Sequence, residues 1–185
     1  TTGHQLCLFT GPVYFIYKII TTINLAKELH QKYPDKNFVP VFWMASEDHD
    51  FEEVNHFYFN NKKFEWPSSQ KGPVGRFNTN ELNSLLGDFP DVHELFHVAY
   101  QNHPTLASAT RYLVNELFGK YGLVILDGDD PALKRLLVPA LKKDLFENLA
   151  FKSVNDCSEK LKIQGYKIQV NAREINFFYI KDGLR

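Results

Sequence analysis

A dense run of ionisable side chains directly follows one of the most apolar stretches of this sequence. Residues 47–53 carry five carboxylates and one imidazole in seven positions. Crowded carboxylates raise one another's proton affinity, and a carboxylate beside a histidine raises the basicity of the ring. Such a group can act as a general base, bind an amine or hold a divalent cation. We therefore select Glu47, Asp48, His49 and Asp50 as candidate catalytic residues, although an acidic first turn of a helix has the same composition.

The turn Thr10-Gly11-Pro12 is a second candidate, because an apolar run gives way there to a helical pattern. Glycine lets a backbone approach a ligand closely, and the first turn of a helix offers unpaired N–H groups to an anion. The turn therefore predicts either an anion-binding site or a tight turn without a ligand. His4, within the preceding run, is either a functional residue or a hydrogen-bonded structural histidine.

A third acidic group, at residues 127–130, follows another apolar run. One aspartate is explained as the N-cap of the next helix, and Asp130 fits that position best. Three acids exceed what a cap needs, so Asp127 is predicted to face a ligand unless the group serves capping alone. Asn55 and His56 follow the first acidic run and are predicted either to orient it or to belong to a hairpin surface.

The sequence predicts no resident metal centre. His49 and His56 are seven positions apart, and neither an HExxH motif nor paired cysteines are present, so no structural zinc site is expected. Cys7 and Cys157 are 150 positions apart without a CxxC pattern. Two free thiols and a reducing cytoplasm are therefore predicted.

Composition limits the class of protein and its partners. The 185 residues carry a formal net charge of −1, with 44% hydrophobic and 23% charged residues. These values are typical of a globular domain and exclude a disordered chain. The balanced charge argues against a nucleic-acid partner, since phosphate binding needs a cationic surplus. No apolar run reaches the roughly 18 residues of a membrane span, so no membrane partner is expected.

The elements that must position these residues alternate between strands and helices. Apolar runs at residues 3–10, 38–45 and 122–126 have the length of buried strands. Residues 13–33 repeat apolar side chains with a helical period. The apolar positions of that period begin with Val13, Ile16, Tyr17, Ile20 and Ile23. Strand, helix and strand in this order form a βαβ unit with parallel strands. The predicted fold is α/β, a Rossmann-like parallel sheet whose carboxyl-end turns bring Gly11, His49 and Asp127 around one hollow.

A small antiparallel β and helical insertion is predicted within this core. Residues 56–59 and 63–66 are typical of a hairpin with a short polar turn, and the inserted segment covers about residues 56–100. The core is expected to span residues 1–150. Residues 151–185 are expected to begin a further α+β connecting segment, with a helix followed by two short strands, which the end of the chain truncates.

Two long motifs make the sequence recognisable. Residues 3–18 read GHQLCLFTGPVYFIYK, and residues 39–56 read VPVFWMASEDHDFEEVNH. They resemble the patterns GQQxGLxTGPLYxxxK and VPVFWxxxEDHDxxExNH of the bacillithiol biosynthesis cysteine-adding enzyme family. Residues 122–131 also resemble that family's third core strand and turn. His4 stands where the family usually has glutamine, and Ser46 where it often has glycine.

The resemblance implies an enzyme that joins L-cysteine to glucosaminyl malate through an amide bond, the last step to bacillithiol. It implies a Rossmann-like core similar to the nucleotidyltransferase fold of cysteinyl-tRNA synthetases, with connecting-peptide insertions. It also implies a homodimer formed through a long coiled coil. Family members are much longer than 185 residues, so this chain is expected to be the first part of the core, without the coiled coil. Whether ATP with Mg²⁺ is consumed is left open.

The resemblance also suggests roles for the candidate residues. Asp48 or His49 would act as base toward the glucosamine amine. The Thr10-Gly11-Pro12 turn, together with Lys18, would hold malate carboxylates or a phosphate. His4 and Gln5 would donate hydrogen bonds to substrate oxygens. Asn55, His56 and Asp127 complete the predicted substrate-binding set, with Asn55 and His56 orienting the acidic run. Two other classes stay open: a metal-dependent hydrolase or nucleotidyltransferase with Mg²⁺ on the acidic groups, and a non-catalytic nucleotide- or metabolite-binding module.

Overall fold

A computed structural model of the chain describes residues 1–88 and 92–181. In chain order, its strands and helices are β1 (Thr2–His4), α1 (Val13–Lys32), β2 (Val41–Met44), β3 (His56–Phe59), β4 (Lys62–Glu65), α2 (Asn83–Gly87), α3 (Glu94–Asn102), α4 (Leu106–Phe118), β5 (Val124–Asp127), α5 (Pro131–Glu147) and α6 (Leu149–Ile163). Short 3₁₀ turns lie at Leu8–Thr10, Val74–Arg76, Thr79–Leu82 and Gly119–Tyr121. Within these two ranges no helix has both the length and the apolar character needed to cross a membrane.

Three parallel strands in the order β1-β2-β5 form the central sheet. Their register places His4 beside Met44 and Met44 beside Asp127, so the carboxyl ends of all three strands lie in one row. Helix α1 contacts β1, and helix α4 contacts β5. The predicted α/β fold with a parallel core is therefore confirmed.

The apolar core includes one face of α1. Phe15, Ile19 and Ile23 repeat every four residues along this helix and are buried. The Phe15 ring packs edge-on against Phe42 of β2, with 5.3 Å between the ring centroids. The helical period was predicted correctly, but much of the predicted stripe faces outward. Its exposed members are Val13, Tyr17 and Ile20.

The apolar runs are longer than the strands they contain. Strand β1 ends at His4 rather than at residue 10, because the Cys7 N–H donates to the Gln5 carbonyl (3.0 Å) and turns the chain. Leu6 and Leu8 are nevertheless almost completely buried. Apolar composition reports that a segment is buried, and a buried turn has the same composition as a buried strand.

Strands β3 and β4 form the predicted antiparallel hairpin. Its turn consists of Asn60 and Asn61, whose φ angles of 49° and 59° lie in the left-handed region. Asparagine tolerates that region better than most residues, which is why two residues suffice where three were predicted. Phe57 and Phe64 stack across the two strands with 5.5 Å between ring centroids. The helical part of the insertion begins with α2.

The chain divides into two compact units, Thr1–Asp129 and a second unit from Asp130 onward. The second unit contains α5 and α6. Its Asp144 is buried, and Oδ1 of that side chain accepts the N–H of Ala150 at 2.7 Å near the start of α6. A carboxylate thus stabilises the junction of the two helices.

The segment predicted to follow the core, residues 151–185, is helical in its first part, where α6 continues to Ile163. The two short strands predicted after that helix, at residues 168–170 and 177–180, are wrong, since neither segment is in a strand. An apolar or aromatic run forms a strand only where a second strand pairs with it, and the described residues pair none with these segments. The predicted boundary near residue 150 stays a prediction.

Candidate active site

The acidic loop, residues 45–53, follows the central strand β2 and so lies between the ends of β1 and β5. Backbone hydrogen bonds extend both strand pairings into this region. The N–H of Ala45 donates to the His4 carbonyl (3.0 Å), and the N–H of Gly128 donates to the Met44 carbonyl (3.0 Å). Candidate residues from all three strand ends therefore meet at one edge of the sheet.

Gln5 connects the segment after β1 to the acidic loop. Its Nε2 donates to Asp48 Oδ2 (2.9 Å) and to Glu53 Oε2 (2.5 Å). The other Asp48 oxygen accepts the N–H groups of His49 (2.7 Å) and Asp50 (3.2 Å). Partial burial acts to raise the pKa of Asp48, but these hydrogen bonds, that of Gln5 first, outweigh it and hold the pKa below its usual value. Asp48 is therefore an ionised acceptor and a weak base.

His49 has one ring nitrogen engaged and one without a partner. Nδ1 lies 3.0 Å from the Glu47 carbonyl oxygen, which can only accept, so this contact assigns the proton to Nδ1. In the neutral ring, Nε2 then holds the lone pair. It is buried, and no described residue forms a hydrogen bond with it. A buried lone pair awaiting a proton is suited to a general base.

The carboxylate of Glu47 is the second unsatisfied group. Its Oε2 is buried, and nothing in residues 1–88 and 92–181 donates to it. A Cβ on Gly128 would collide with this oxygen and would lie 2.8 Å from the Trp43 Nε1. Glycine at position 128 therefore leaves the space that the carboxylate fills. Burying a carboxylate oxygen without a donor is unfavourable, and a cationic ligand would satisfy it.

Asp127, predicted to face a ligand, is held by neighbouring loops. Its Oδ1 accepts the hydroxyl of Ser46 and the N–H of Asp129 (3.0 Å). The Ser46 Oγ, which is buried, in turn accepts the same Asp129 N–H (3.0 Å). Asp130 caps α5 as predicted, since its side chain accepts the Ala132 N–H at 2.7 Å. Asp127 thus ties the ends of β2 and β5 together, and a direct ligand contact stays a prediction.

Residues 73–76, which the sequence did not mark as functional, lie against the acidic loop. The Val74 N–H donates to the Asp48 carbonyl (2.7 Å), and the Gly75 N–H donates to the Ser46 carbonyl (2.9 Å). A Cβ on Gly75 would come within 2.5 Å of the Ser46 Cβ, so only glycine permits this approach. A glycine in a polar loop is too common a pattern to have revealed the contact. The other site residues that sequence reasoning did not select are Trp43, Glu53, Arg76, Arg111 and Gly128.

The turn after β1 has left-handed backbone at three successive residues. The φ angles of Phe9, Thr10 and Gly11 are 51°, 67° and 55°. A Cβ on Gly11 would collide with Cys7, so glycine is required there for space as well as for φ. The Phe9 N–H donates to the hydroxyl of the buried Tyr100 (2.8 Å). Tertiary packing therefore holds a turn that is unfavourable by itself. The next residue, Pro12, is the N-cap of α1.

A cavity of about 700 Å³ with largely aromatic walls lies beside this turn. Gly11 lines it, but His49 and Asp127 are not among the described lining residues, so this cavity is not the common hollow expected around all three. Lys18, expected to act with the turn, donates from Nζ to the Gly3 carbonyl and lies 5.4 Å from the Tyr14 ring centroid. Its ammonium group is therefore engaged by β1.

Asn55 and His56 are hydrogen-bonded within the hairpin region. The His56 Nδ1 lies 2.9 Å from the Asn55 Oδ1, and the Asn55 Nδ2 donates to the Glu65 Oε1 (3.4 Å). The Asn55 carbonyl accepts the N–H of Trp66 at 2.7 Å. These bonds explain the two residues as part of the hairpin base, and a role in substrate binding stays a prediction.

His4 and Cys7 form a pair beside the acidic loop. The His4 Nδ1 lies 3.0 Å from the Gln5 carbonyl and 3.7 Å from the Cys7 Sγ. Burial, followed by the negative charge of Glu53, raises the pKa of Cys7 to about 11. The thiol is therefore protonated near neutral pH, which does not suit a nucleophile.

Comparison with known proteins shows the family to which this chain belongs. Residues 1–185 match the family described as "Bacillithiol biosynthesis BshC, N-terminal Rossmann-like domain". Curated relatives named "Putative cysteine ligase BshC" are 53% identical in Flavobacterium psychrophilum, 52% in Flavobacterium johnsoniae and 49% in Cytophaga hutchinsonii. Each match covers 100% of this chain but only 35% or 36% of the relative, so the chain spans little more than a third of their length. The resemblance predicted from the two motifs is confirmed, and the chain belongs to the family of BshC N-terminal Rossmann-like domains of bacillithiol biosynthesis.

Proposed function

We propose that the whole protein, of which this chain is a part, joins L-cysteine to glucosaminyl malate by an amide bond at the glucosamine nitrogen. The family description and the name of the relatives support a cysteine ligase in bacillithiol biosynthesis. The observation that carries the proposal is the pair of unsatisfied buried atoms, His49 Nε2 and Glu47 Oε2. No described residue bonds to either atom, and the reaction supplies a partner for each.

The two substrates bring two amines that need opposite treatment. The glucosamine nitrogen attacks only as a free base, so a proton has to be removed from it. The amino group of cysteine has to stay protonated, because otherwise two cysteines would condense. The lone pair on His49 Nε2 is suited to accept the proton of the glucosamine amine. The carboxylate of Glu47 is suited to hold the cysteine ammonium as an ion pair.

The remaining residues of the acidic loop position these two groups. Asp48, held ionised by Gln5 and by two backbone N–H groups, fixes the turn that carries His49. The Gln5 bond to Glu53 closes the same loop from its other end. This assignment makes His49 the base and Asp48 a positioning residue, where the sequence alone left the choice between them open.

Condensation of an amine with a carboxylate expels the elements of water, so the cysteine carboxylate needs activation. We propose ATP with Mg²⁺ as the activating reagent to test first, with the first turn of α1, which follows Gly11 and Pro12, as the phosphate contact. A homodimer of the full-length protein and a location in the cytoplasm complete the proposal. The homodimer is drawn from the family resemblance, and the location from the two free cysteines, Cys7 and Cys157.

The test uses the full-length protein with cysteine and glucosaminyl malate, with and without ATP and Mg²⁺. The expected result is a thiol product of the amide mass in mass spectrometry. His49→Gln should lower kcat by about 10²- to 10⁴-fold, since glutamine has no lone pair that accepts a proton at neutral pH. His30→Gln, at an exposed residue near the end of α1, is the matched control and should leave kcat unchanged.

Two outcomes would contradict the proposal. The first is the absence of the thiol product under both conditions with a folded, full-length protein. The second is an unchanged kcat in the His49→Gln enzyme. The relatives give no support to a metal-dependent hydrolase or to a non-catalytic binding module. Turnover that proceeds without ATP and is abolished by EDTA would be the evidence for a metal-dependent hydrolase.

A further inference from the structure

Two arginine side chains reach the aspartates after β5 from outside the acidic loop. The Arg76 Nε lies 2.5 Å from the Asp129 Oδ2, and the Arg111 Nη2 lies 4.0 Å from the Asp127 Oδ2. The two aspartates are themselves joined through the Ser46 hydroxyl. Both guanidinium groups therefore lie beside one small cluster at the carboxyl edge of the sheet, next to the acidic loop.

Both guanidinium groups have N–H donors that their contacts with the aspartates do not use. A guanidinium carries five N–H groups, and within the described residues Arg76 uses its Nε on Asp129. The separation of 4.0 Å between Arg111 and Asp127 exceeds hydrogen-bonding distance, so that contact is an ion pair without a hydrogen bond. The side chains are 60% and 50% exposed, so a ligand can reach the unused donors.

The backbone that carries the two arginines is fixed by packing. Arg76 ends the 3₁₀ turn that begins at Val74, and the preceding Gly75 is bonded to Ser46 of the acidic loop. This turn packs against α4, the helix that carries Arg111. Two neighbouring elements, each held independently of the side chains in question, thus present the arginines at the same strand ends.

We propose that Arg76 and Arg111 together bind a dicarboxylate, which in the proposed reaction is the malyl group of the acceptor substrate. Guanidinium groups match carboxylates with two parallel hydrogen bonds, which a lysine ammonium cannot do. Lys18, which the sequence predicted for this role, has an ammonium group, and its Nζ donates to the Gly3 carbonyl within β1. The inference rests on the proposed function for the identity of the dicarboxylate, although the site itself is defined by the arginines.

The first measurement is calorimetric binding of free malate to the full-length protein, which does not depend on turnover. Arg76→Gln and Arg111→Gln should each weaken malate binding by about tenfold or more, because each removes charge-assisted hydrogen bonds. Arg→Lys at either position should restore only part of the affinity. Lys120→Gln is the charge-matched control, since Lys120 precedes β5 and lies at the opposite edge of the sheet.

The second measurement is kinetic. Both glutamine variants should raise the KM for glucosaminyl malate while leaving the KM for cysteine unchanged, and they should match the wild type when glucosamine without the malyl group is the acceptor. Failure of the wild type to bind malate at millimolar concentration would overturn the inference. It would also be overturned if the variants lowered the melting temperature but kept the affinity, since the arginines would then only neutralise Asp127 and Asp129. If the protein binds malate but forms no amide product, the proposed function is refuted, whereas binding of a dicarboxylate by the two arginines is not.

Discussion

Three consecutive side chains of the acidic loop, Glu47, Asp48 and His49, differ in what surrounds them. Asp48 accepts three hydrogen bonds, whereas a buried oxygen of Glu47 and a buried nitrogen of His49 have no partner among the described residues. Hydrogen bonds to a carboxylate stabilise its ionised form and lower its basicity. The residue with the most bonds is therefore the least suited to remove a proton, and the roles divide accordingly.

Replacing Glu47 with glutamine should weaken recognition of the cysteine ammonium. We expect Glu47→Gln to raise the KM for cysteine by about ten- to a hundredfold, the range for losing a charged hydrogen bond in a buried site. Binding of 3-mercaptopropionate, which lacks the amino group, should change little. Equal losses for both ligands, measured by calorimetry on the full-length protein, would contradict an ammonium contact.

The hydrogen bond from Gln5 should be visible in the titration of Asp48. The folded-state pKa of Asp48 lies below its usual 3.8, so its contribution to stability is present above that pH and is lost as the pH falls through the lowered value. Gln5→Ala should move the pKa of Asp48 upward, because the first of the stabilising bonds is removed. Carboxyl-carbon NMR titration checks this. A pKa that stays in place, or falls further, would show that the bond is not formed in solution.

At the scale of elements, the acidic loop depends on a segment far from it in sequence. The 3₁₀ turn Val74–Arg76 donates backbone N–H groups to the loop. Gly75 packs so closely that a Cβ would lie 2.5 Å from the Ser46 Cβ and 2.8 Å from the Ser46 carbonyl oxygen. Both neighbours are close to or part of the backbone and cannot rotate away. The site is therefore supported by contact between two segments that both lie outside the strands and α-helices.

Gly75→Ala should destabilise the fold by about 1 to 3 kcal/mol, the usual effect of overpacking, and should displace the acidic loop. Gly87→Ala is the matched control, because nothing lies within 4 Å of a Cβ at that position. The control should change stability by no more than about 0.5 kcal/mol. Denaturant unfolding of both variants checks the difference. Equal stabilities would mean that the loop at residues 73–76 moves aside without penalty.

At the scale of the whole molecule, the buried apolar side chains are distributed unevenly. Every buried apolar residue in the described ranges lies in the first unit, and the last along the chain is Leu123. In the second unit the buried residue is a charged one, Asp144, while side chains such as Phe146 and Ile163 are exposed. Because burial of apolar surface is the main favourable contribution to folding, the two units should differ in stability.

Hydrogen exchange of the 185-residue chain should therefore be slower in the first unit. We expect the amides of β2 and α4 to be the most protected, and those of residues 130–181 to exchange faster by a factor of ten or more. Mass-spectrometric exchange resolves the two regions. Equal protection of the amides on the two sides of the boundary between Asp129 and Asp130 would contradict the expectation. It would indicate that both units unfold together.

Much of the fold followed from local patterns. The hairpin at residues 56–65 and the capping role of Asp130 were predicted correctly, because each depends on neighbours along the chain. The parallel core was predicted correctly because a strand, helix and strand in succession favour parallel pairing of the two strands. Strand β1 was predicted to end at residue 10, but it ends at His4. Strands were also predicted at residues 168–170 and 177–180, where none is present. Whether an apolar run extends, turns or finds a partner depends on contacts that its own composition does not record.

The sequence by itself determined the family, the alternation of strands and helices, and the presence of carboxylates and an imidazole at the strand ends. These properties reside in residue types and short spacings. The tertiary structure decided which ring nitrogen of His49 holds the lone pair, why Asp48 stays ionised, and that Ser46 joins Asp127 to the acidic loop. Each of those depends on hydrogen bonds and burial between residues distant in sequence, and such contacts exist only once the chain has folded.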